Sequence, residues 1–265
     1  MTHWHSAVCE SNNIHIHYTR TGGDKPPLIL LHGLMTNGLC WTDLARSLEQ
    51  AYDVIMPDAR GHGCSSAPDS GYRYEDHADD VIGLIATLTL RKPVLIGHSM
   101  GGMTAAVVAG RRPDLLRGLV LADPTFLHPE MQREVFDSDV AEQHRKALDM
   151  PLEALVAAAR TRHPQRSQEN LTLFARARLQ TSMAAFEVLR PPNPDYEELV
   201  RKINIPSLLI SGDKGVVSAD VAAALQNLNA SLQVELIPEA GHSLHVDQPQ
   251  RFAAIIKTFL ASLMA

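Results

Sequence analysis

Short apolar runs alternate along this chain with longer segments whose apolar residues recur every three or four positions. The run 28–31 is continuously apolar, which is typical of a strand buried on both faces, whereas 14–19 alternates and predicts an edge strand. The predicted strands are 14–19, 28–31, 52–56, 94–96, 118–122, 206–211 and 233–237. The predicted helices are 41–50, 76–90, one after residue 99, and 249–263. This alternation predicts an α/β protein with a mostly parallel sheet and helices on both faces.

The alternation is interrupted between residues 125 and 199. Strand-type runs are absent there, and Arg, Glu, Gln and Ala dominate in helix-length pieces separated by prolines (Pro151, Pro164, Pro191 and Pro192). We therefore predict that residues 1–124 and 200–265 form one core and that residues 125–199 form a helical cap inserted into it. This segment is called the cap below.

Composition narrows the class of protein. With 265 residues, 45% hydrophobic and 20% charged, the chain has the size and balance of one large globular domain. A net charge of −6 argues against a nucleic-acid partner, and no apolar run reaches the length of about 18 residues that a membrane span needs. Three irregularly spaced cysteines indicate reduced thiols, so a cytoplasmic location is predicted, while the oligomeric state stays open.

The most informative motif surrounds Ser99. The sequence Gly97-His98-Ser99-Met100-Gly101 follows an apolar run and precedes a Gly/Ala-rich helix. A strand that turns sharply into a helix needs small neighbours, and such a turn exposes the hydroxyl above the sheet edge with a helix N-terminus behind it. The context predicts that Ser99 is a nucleophile.

A serine nucleophile needs a base, and the base needs a group that orients it. His242, in a Gly-His pair between the last strand and the last helix, is the predicted base, and His245 is its rival. Among the other histidines, His15 and His17 share a strand face and could bind a metal ion. A solvated edge strand is the simpler interpretation of that pair.

Four blocks in this order resemble the signature of the α/β-hydrolase fold family over essentially the whole chain. They are His32-Gly33, Asp58-x-Arg60-Gly61-His62-Gly63-x-Ser65, Gly97-His98-Ser99-Met100-Gly101-Gly102 and Gly241-His242. The resemblance implies an α/β-hydrolase fold and an oxyanion hole made by the backbone N–H groups of Met100 and Leu34. It also implies chemistry that needs no metal and no organic cofactor.

The acid departs from the common pattern of that family. Gly215 stands at the position that usually holds the acid, so two candidates remain: Asp123, after the strand that follows the nucleophile, and Asp213. The strand tip beside the nucleophile's strand favours Asp123. An acid at this place resembles a small subgroup that includes N-formylmaleamate deformylase and acetamidomethylene-succinate hydrolase.

One stretch of the cap, residues 156–190, carries an excess of arginine over acidic residues. Six arginines stand against two glutamates over residues 156–190. Because arginine pairs with carboxylates in a bidentate manner, Arg160, Arg162 and Arg176 are candidate contacts for an anionic substrate, together with His32 of the first motif. An ordinary solvated helix face is the simpler alternative for the arginines.

These features predict a serine hydrolase that cleaves a small ester or an amide-like (N-acyl or N-formyl) carboxylic acid through an acyl-enzyme. Serine at position 99 excludes the relatives of this fold that use an aspartate nucleophile. A C–C bond hydrolase, an enol-lactonase and a general carboxylesterase are alternatives within the same chemistry. A non-catalytic small-molecule receptor is the alternative from another class.

Overall fold

An eight-stranded sheet runs through the computed structural model, which describes residues 4–264. The strands are β1 (His5–Ser11), β2 (Ile14–Arg20), β3 (Pro27–Leu31), β4 (Asp53–Pro57), β5 (Val94–His98), β6 (Gly118–Ala122), β7 (Ser207–Lys214) and β8 (Leu232–Gly241). Their spatial order is β1-β2-β4-β3-β5-β6-β7-β8. The first two strands pair antiparallel and the remaining ones are parallel, so the carboxyl ends of β3 to β8 meet at one edge.

The helices connect these strands. They are α1 (Thr42–Leu48), α2 (Tyr74–Thr87), α3 (Met100–Arg111), α4 (Pro129–Asp137), α5 (Val140–Leu148), α6 (Leu152–Arg162), α7 (Gln168–Leu179), α8 (Tyr196–Lys202), α9 (Ala219–Leu228), α10 (Leu244–Asp247) and α11 (Pro249–Ser262). Short 3₁₀ segments lie at Gly38–Trp41, Pro113–Leu115 and Met183–Leu189. The predicted α/β-hydrolase architecture is confirmed.

Strand β3 shows why the sheet is covered on both faces. Leu28 and Leu30 belong to the apolar cluster that includes Phe252 of α11, while Ile29 and Leu31 belong to the cluster formed with α2 and α3. Successive side chains of a strand point to opposite faces, so a continuously apolar strand is stable only between two helical layers. Each fully buried side chain of this type contributes roughly 1.5–3 kcal/mol to stability.

The first strand, β1, is absent from the sequence-based prediction. Its outer positions are exposed, including Val8, and only Cys9 and Ser11 are buried, so its apolar signal is weak. Because β1 pairs with β2 along its whole length, β2 lies inside the sheet. The prediction that 14–19 is an edge strand is therefore wrong.

The elements α4 to α7 and the 3₁₀ segment Met183–Leu189 occupy the stretch between β6 and α8. Helices α6 and α7 pack on each other and share a small apolar cluster with α5, separate from the clusters of the sheet. The domain division at residues 124/125 and 199/200 stays a prediction. Helix α8 crosses the second of these boundaries, and it packs against α3 and α9 of the sheet layers.

Within residues 4–264, none of the helices is both long and apolar enough to traverse a bilayer. The three cysteines of the chain are all unpaired thiols, which agrees with the reduced state expected from their spacing. The cytoplasmic location stays a prediction.

Candidate active site

Ser99 sits on a sharp turn between β5 and α3. Its backbone has φ 55° and ψ −119°, a conformation that is strained for a residue with a side chain. A Cβ atom at Gly97 would collide with the Gly101 carbonyl, and one at Gly101 would collide with the Leu31 carbonyl. The two glycines therefore permit the tight turn that the motif predicts around the hydroxyl.

His242 connects Ser99 to Asp123. The Ser99 Oγ lies 2.8 Å from His242 Nε2, and His242 Nδ1 lies 2.6 Å from Asp123 Oδ2. With an ionised Asp123, Nδ1–H donates to the carboxylate and Nε2 accepts from the serine hydroxyl. The Ser99 and Asp123 side chains are buried, whereas the His242 side chain is 39% exposed. The structure therefore brings these three predicted residues into one hydrogen-bonded chain.

The Asp123 carboxylate is held by the loop that follows β7. The backbone N–H groups of Val216 and Val217 donate to Oδ2 and Oδ1 at 2.8 and 2.9 Å. A Cβ atom at Gly215 would lie 2.7 Å from Asp123 Oδ1, closer than real carbon–oxygen contacts allow. The glycine at the usual acid position thus leaves room for the carboxylate that arrives from β6.

Asp213 has a different role in the structure. Its side chain is exposed at the end of β7, and its two oxygens accept from the backbone N–H groups of Glu239 and Ala240 at 3.0 and 3.1 Å. Glu239 has φ 58°, so this carboxylate holds the irregular last residues of β8, which lead to His242. Asp213 contacts the loop of the histidine, and Asp123 contacts its ring.

His245, the rival base, is half-buried and packs in a cluster of rings. Its ring centroid is 4.5 Å from Trp41 and 4.6 Å from His98. Burial lowers the pKa of His245 to about 3, which keeps it neutral. His98 Nε2–H in turn donates to the His242 carbonyl at 2.7 Å, so the motif histidine beside Ser99 also positions the candidate base.

The loop after β3 brings two further predicted residues to the serine. Leu34 and Met100 border the same cavity as Ser99, and Met100 is the first residue of α3, so its N–H has no acceptor within the helix. The neighbouring Met35 N–H donates to His62 Nε2 at 3.3 Å, while His62 Nδ1–H donates to the Arg60 carbonyl. Sequence reasoning did not assign this loop-holding role to His62.

His32 does not border the cavity that contains Ser99. It is buried, its Nδ1–H donates to the Gly33 carbonyl, and its Nε2 accepts from Ala59 N–H at 2.9 Å. Burial lowers its pKa, which is consistent with a neutral ring that joins two loops. The prediction that His32 contacts substrate is not supported.

A cavity of about 480 Å³ opens above Ser99 and His242. Its walls combine the loop after β3, the tips of β6 and β7 and the underside of the cap. Its lining residues are Leu34, Met35, Tyr74, Ser99, Met100, Thr125, Leu127, Met131, Gln132, Val135, Val140, Val188, Leu189, Asn193, Gly215, Val216 and His242.

The three candidate arginines lie outside this lining. Arg160 donates to the Arg166 carbonyl and to Gln168, and Arg162 and Arg176 are exposed. The sequence pattern does not determine which way an arginine side chain points. Arg160 turns toward the connection between α6 and α7, Arg162 toward its own helix, and Arg176 toward solvent. The predicted anion-binding face above Ser99 is therefore not formed by Arg160, Arg162 or Arg176.

A fourth cap arginine reaches the histidine loop instead. Arg166, between α6 and α7, forms a 2.8 Å ion pair with Asp247 of α10, and both side chains are at least four-fifths buried. The other Asp247 oxygen accepts from Gly241 N–H at 3.1 Å, directly before His242. The cap is thus linked through one carboxylate to the residue that directly precedes the candidate base.

One group of side chains in the described part of the chain has the chemistry of a metal site. Ligand atoms of His17, Asp58 and Cys64 lie within 4.8 Å of one another. Asp58, however, already accepts from His17 Nδ1 and from the N–H groups of Gly38 and Cys64. These bonds satisfy the carboxylate within the protein, and His17 is not the solvated side chain expected from the sequence.

The comparisons with known proteins agree with this geometry. The sequence model of the family described as "alpha/beta hydrolase fold" matches residues 26–249. The chain therefore belongs to the α/β hydrolase fold family and is a hydrolase.

Three relatives cover most of the chain. It is 28% identical to 2-(acetamidomethylene)succinate hydrolase of Mesorhizobium japonicum, over 91% of this chain and 90% of the relative. It is 30% identical to N-formylmaleamate deformylase of Pseudomonas putida, over 94% of each. It is 32% identical to an sn-1-specific diacylglycerol lipase of Xenopus laevis, over 89% of this chain and 80% of the lipase.

The solved structure of E-2-(acetamidomethylene)succinate hydrolase superposes with a TM-score of 0.85 at 27% identity, over 98% of this chain and 100% of that one. The resemblance to the subgroup containing this hydrolase and the deformylase is confirmed.

Proposed function

We propose that this protein is a serine hydrolase that cleaves a small ester or amide-like substrate through an acyl-enzyme. The observation that carries the proposal is the hydrogen-bonded chain from Ser99 Oγ through His242 to the buried Asp123, at the floor of an open cavity. Nucleophile, base and orienting acid are the three parts that acyl transfer by serine requires.

The reaction divides into two halves. Ser99 Oγ attacks the substrate carbonyl carbon while His242 Nε2 takes its proton, and the bond to the leaving oxygen or nitrogen breaks as His242 returns that proton to it. Water then attacks the acyl-enzyme with the same histidine as base. The free acid leaves, and Ser99 recovers its proton.

The oxyanion hole in this proposal consists of the N–H groups of Met100 and Leu34. Both residues border the cavity beside Ser99, and the Met100 N–H stands at the start of α3, where the helix dipole favours negative charge. Removing one such donor costs about 2.7–4 kcal/mol in comparable sites. Since these donors are backbone groups, the shape of the loop matters more than the side chains.

The relatives support a small-molecule substrate. Their names cover an acetamido compound, an N-formyl compound and a lipid ester, which are all acyl compounds. The proposal therefore covers acyl transfer from either an oxygen or a nitrogen leaving group.

The test is covalent labelling with an alkyl fluorophosphonate, in which Ser99 Oγ forms a bond to phosphorus and fluoride leaves. We expect labelling of wild type at Ser99, mapped by peptide mass spectrometry, together with hydrolysis of short p-nitrophenyl esters. Ser99→Ala should lose both, and Ser138→Ala, which changes an exposed serine, should keep both. Saturable binding of esters without labelling or turnover would identify a receptor and contradict the proposal.

A further inference from the structure

We propose that the acyl group bound above Ser99 is uncharged and apolar, such as a medium-length aliphatic chain, and is not the anionic part of a dicarboxylic acid. The inference rests on the proposed function, because it assigns the cavity beside Ser99 to the acyl group of the substrate. It concerns the chemistry of that group, which neither the motif nor the three candidate catalytic residues specify.

The lining of the cavity is the first argument. Its cap side is mostly apolar, and the apolar residues there are Leu127, Met131, Val135, Val140, Val188 and Leu189. Within residues 4–264, no arginine, lysine, aspartate or glutamate borders this cavity. An aliphatic chain would therefore leave water for an apolar surface, and each CH₂ group that it buries would favour binding.

The polar side chains of the cavity are the second argument. Besides the candidate nucleophile and base they are all uncharged, and those of Tyr74, Thr125 and Gln132 already bond within the protein. The Tyr74 hydroxyl and Thr125 Oγ1 are 2.8 Å apart. Gln132 donates to the Leu127 carbonyl at 2.8 Å and accepts from Asn193 N–H at 2.9 Å. Burial raises the pKa of Tyr74 to about 12, so this group stays a neutral hydroxyl.

A carboxylate in this cavity would thus lose its hydration without gaining a cationic partner. Burial of an unpaired charge is among the most unfavourable changes in free energy that a protein site can impose. Sequence similarity does not decide the matter, since relatives at 28% and 32% identity are named for a succinate derivative and for a neutral lipid. The lining residues favour the neutral class.

One basic side chain offers a rival explanation. Arg133 borders an adjoining cavity of about 550 Å³, which shares Leu127, Gln132 and Asn193 with the first. An anionic tail that passed Gln132 could in principle reach Arg133. Asp195 and Glu197 border the same second cavity, however, and their negative charges oppose an anion there. Replacement of Arg133 separates this rival from the proposal.

The experiment compares two esters that differ only at the far end of the acyl chain. p-Nitrophenyl hexanoate ends in a methyl group, and mono-p-nitrophenyl adipate has a carboxylate in its place. We expect kcat/KM for the hexanoate to exceed that for the adipate by at least about 100-fold, because the carboxylate finds no partner. Arg133→Gln should leave this ratio within about two-fold of wild type. An equal or reversed preference, or a collapse of adipate hydrolysis in Arg133→Gln, would overturn the proposal.

A variant that introduces a positive charge tests whether the acyl chain occupies this cavity. Met131 borders the cavity and is 43% exposed, so Met131→Arg can place a cation at its mouth without burying it. We expect this variant to shift the adipate-to-hexanoate ratio upward by about 10-fold. Met150→Arg, at a similarly exposed methionine outside the lining, is the matched control and should not shift it.

The remaining outcomes are also decisive. An unchanged ratio in a folded Met131→Arg would show that the acyl chain lies elsewhere and would overturn the proposal. Hydrolysis of either ester that disappears in Ser99→Ala upholds the proposed function, whatever the ratio. Absence of both hydrolysis and fluorophosphonate labelling in folded wild type would contradict the proposed function and, with it, this inference.

Discussion

The tips of β6 and β7 each present an aspartate to the loop that carries His242, and the structure uses them differently. Asp123 is fully buried and its carboxylate contacts the ring of His242, while two backbone N–H groups of the β7 tip hold its oxygens. Asp213 is exposed and contacts only the backbone that approaches the histidine. Asp213 is closer to His242 in the sequence than Asp123 is, yet Asp123 contacts the ring. Separation in the sequence is therefore a poorer guide to the orienting acid than the position of the strand tip that carries it.

The largest effect is expected from Asp123→Asn. The amide keeps the shape of the carboxylate but favours the wrong histidine tautomer. The equivalent change in a serine protease lowers kcat about 10⁴-fold, and we expect a loss of this order here. Steady-state hydrolysis of p-nitrophenyl hexanoate measures the loss.

Asp213→Asn is the matched control for that variant. Its side-chain oxygen can still accept a hydrogen bond from one of the two N–H groups at the end of β8, so we expect kcat/KM within about 10-fold of wild type. Equal losses of kcat/KM in Asp123→Asn and Asp213→Asn would show that the two aspartates do not differ in role.

The second effect concerns the space that Gly215 leaves for the acid. Gly215→Ala would place its Cβ about 2.7 Å from Asp123 Oδ1, and the carboxylate must move away from His242. Since a misplacement of about 1 Å can cost 10²-fold, we expect kcat to fall by about 10- to 100-fold.

Gly110→Ala in α3 is the control, because its Cβ would meet only the end of the Leu199 side chain. A Gly215→Ala enzyme with wild-type kcat would show that Asp123 need not occupy the observed position.

A third carboxylate sharpens the comparison further. Arg166→Gln removes the ion pair that joins the cap to Asp247, whose other oxygen holds Gly241 N–H next to His242. We expect kcat/KM to fall by about 10-fold, and Arg166→Lys to recover part of it, because this partly buried pair positions the histidine loop.

Arg176→Gln, at an exposed cap arginine, is the control for general loss of charge. In a double-mutant cycle the effects of Arg166→Gln and Asp247→Asn should not add. Additive losses would mean that the two side chains act separately.

The smallest effect is on stability at mildly acidic pH. Burial lowers the pKa of His62 and of His245 to about 3, below the unfolded value of 6.5. The unfolded chain therefore binds protons first, and the stability contributed by these neutral rings is complete above pH 6.5 and is lost as the pH falls below it. At pH 6 each of the two histidines should lower the free energy of unfolding by slightly less than about 1 kcal/mol.

Urea unfolding at pH 7.5 and pH 6 measures this loss. His245→Gln should show a smaller dependence on pH than wild type, because one titrating ring is gone. His15→Gln, at an exposed histidine, should keep the full dependence.

The sequence predicts most of this molecule where the local pattern is strong. The apolar runs locate seven of the eight strands, and the small residues around Ser99 locate its turn. The preference for Asp123 over Asp213 also follows from strand order, because β6 lies beside β5. These features can be predicted because they are set by residues adjacent in the sequence or by the rule that parallel strands end at the same edge of the sheet.

The missed features depend on side-chain direction. β1 has too few buried residues to give a pattern, and its presence moves β2 from the edge into the sheet. The six arginines of residues 156–190 suggested an anion site, yet Arg160 bonds within the cap and Arg166 bonds to Asp247. Composition records how many charges a segment has, and only the fold determines what they face.

The close approach of Gly215 to Asp123 has an evolutionary consequence. An ancestor with an acid at both positions would have held two carboxylates in contact in a buried site, where one must take up a proton. The acid cannot then pass from one strand to the other through an intermediate that keeps both in their ionised, working form. A side chain at position 215 would therefore crowd the acid at position 123, so we expect the residues at these two positions to change together among homologues.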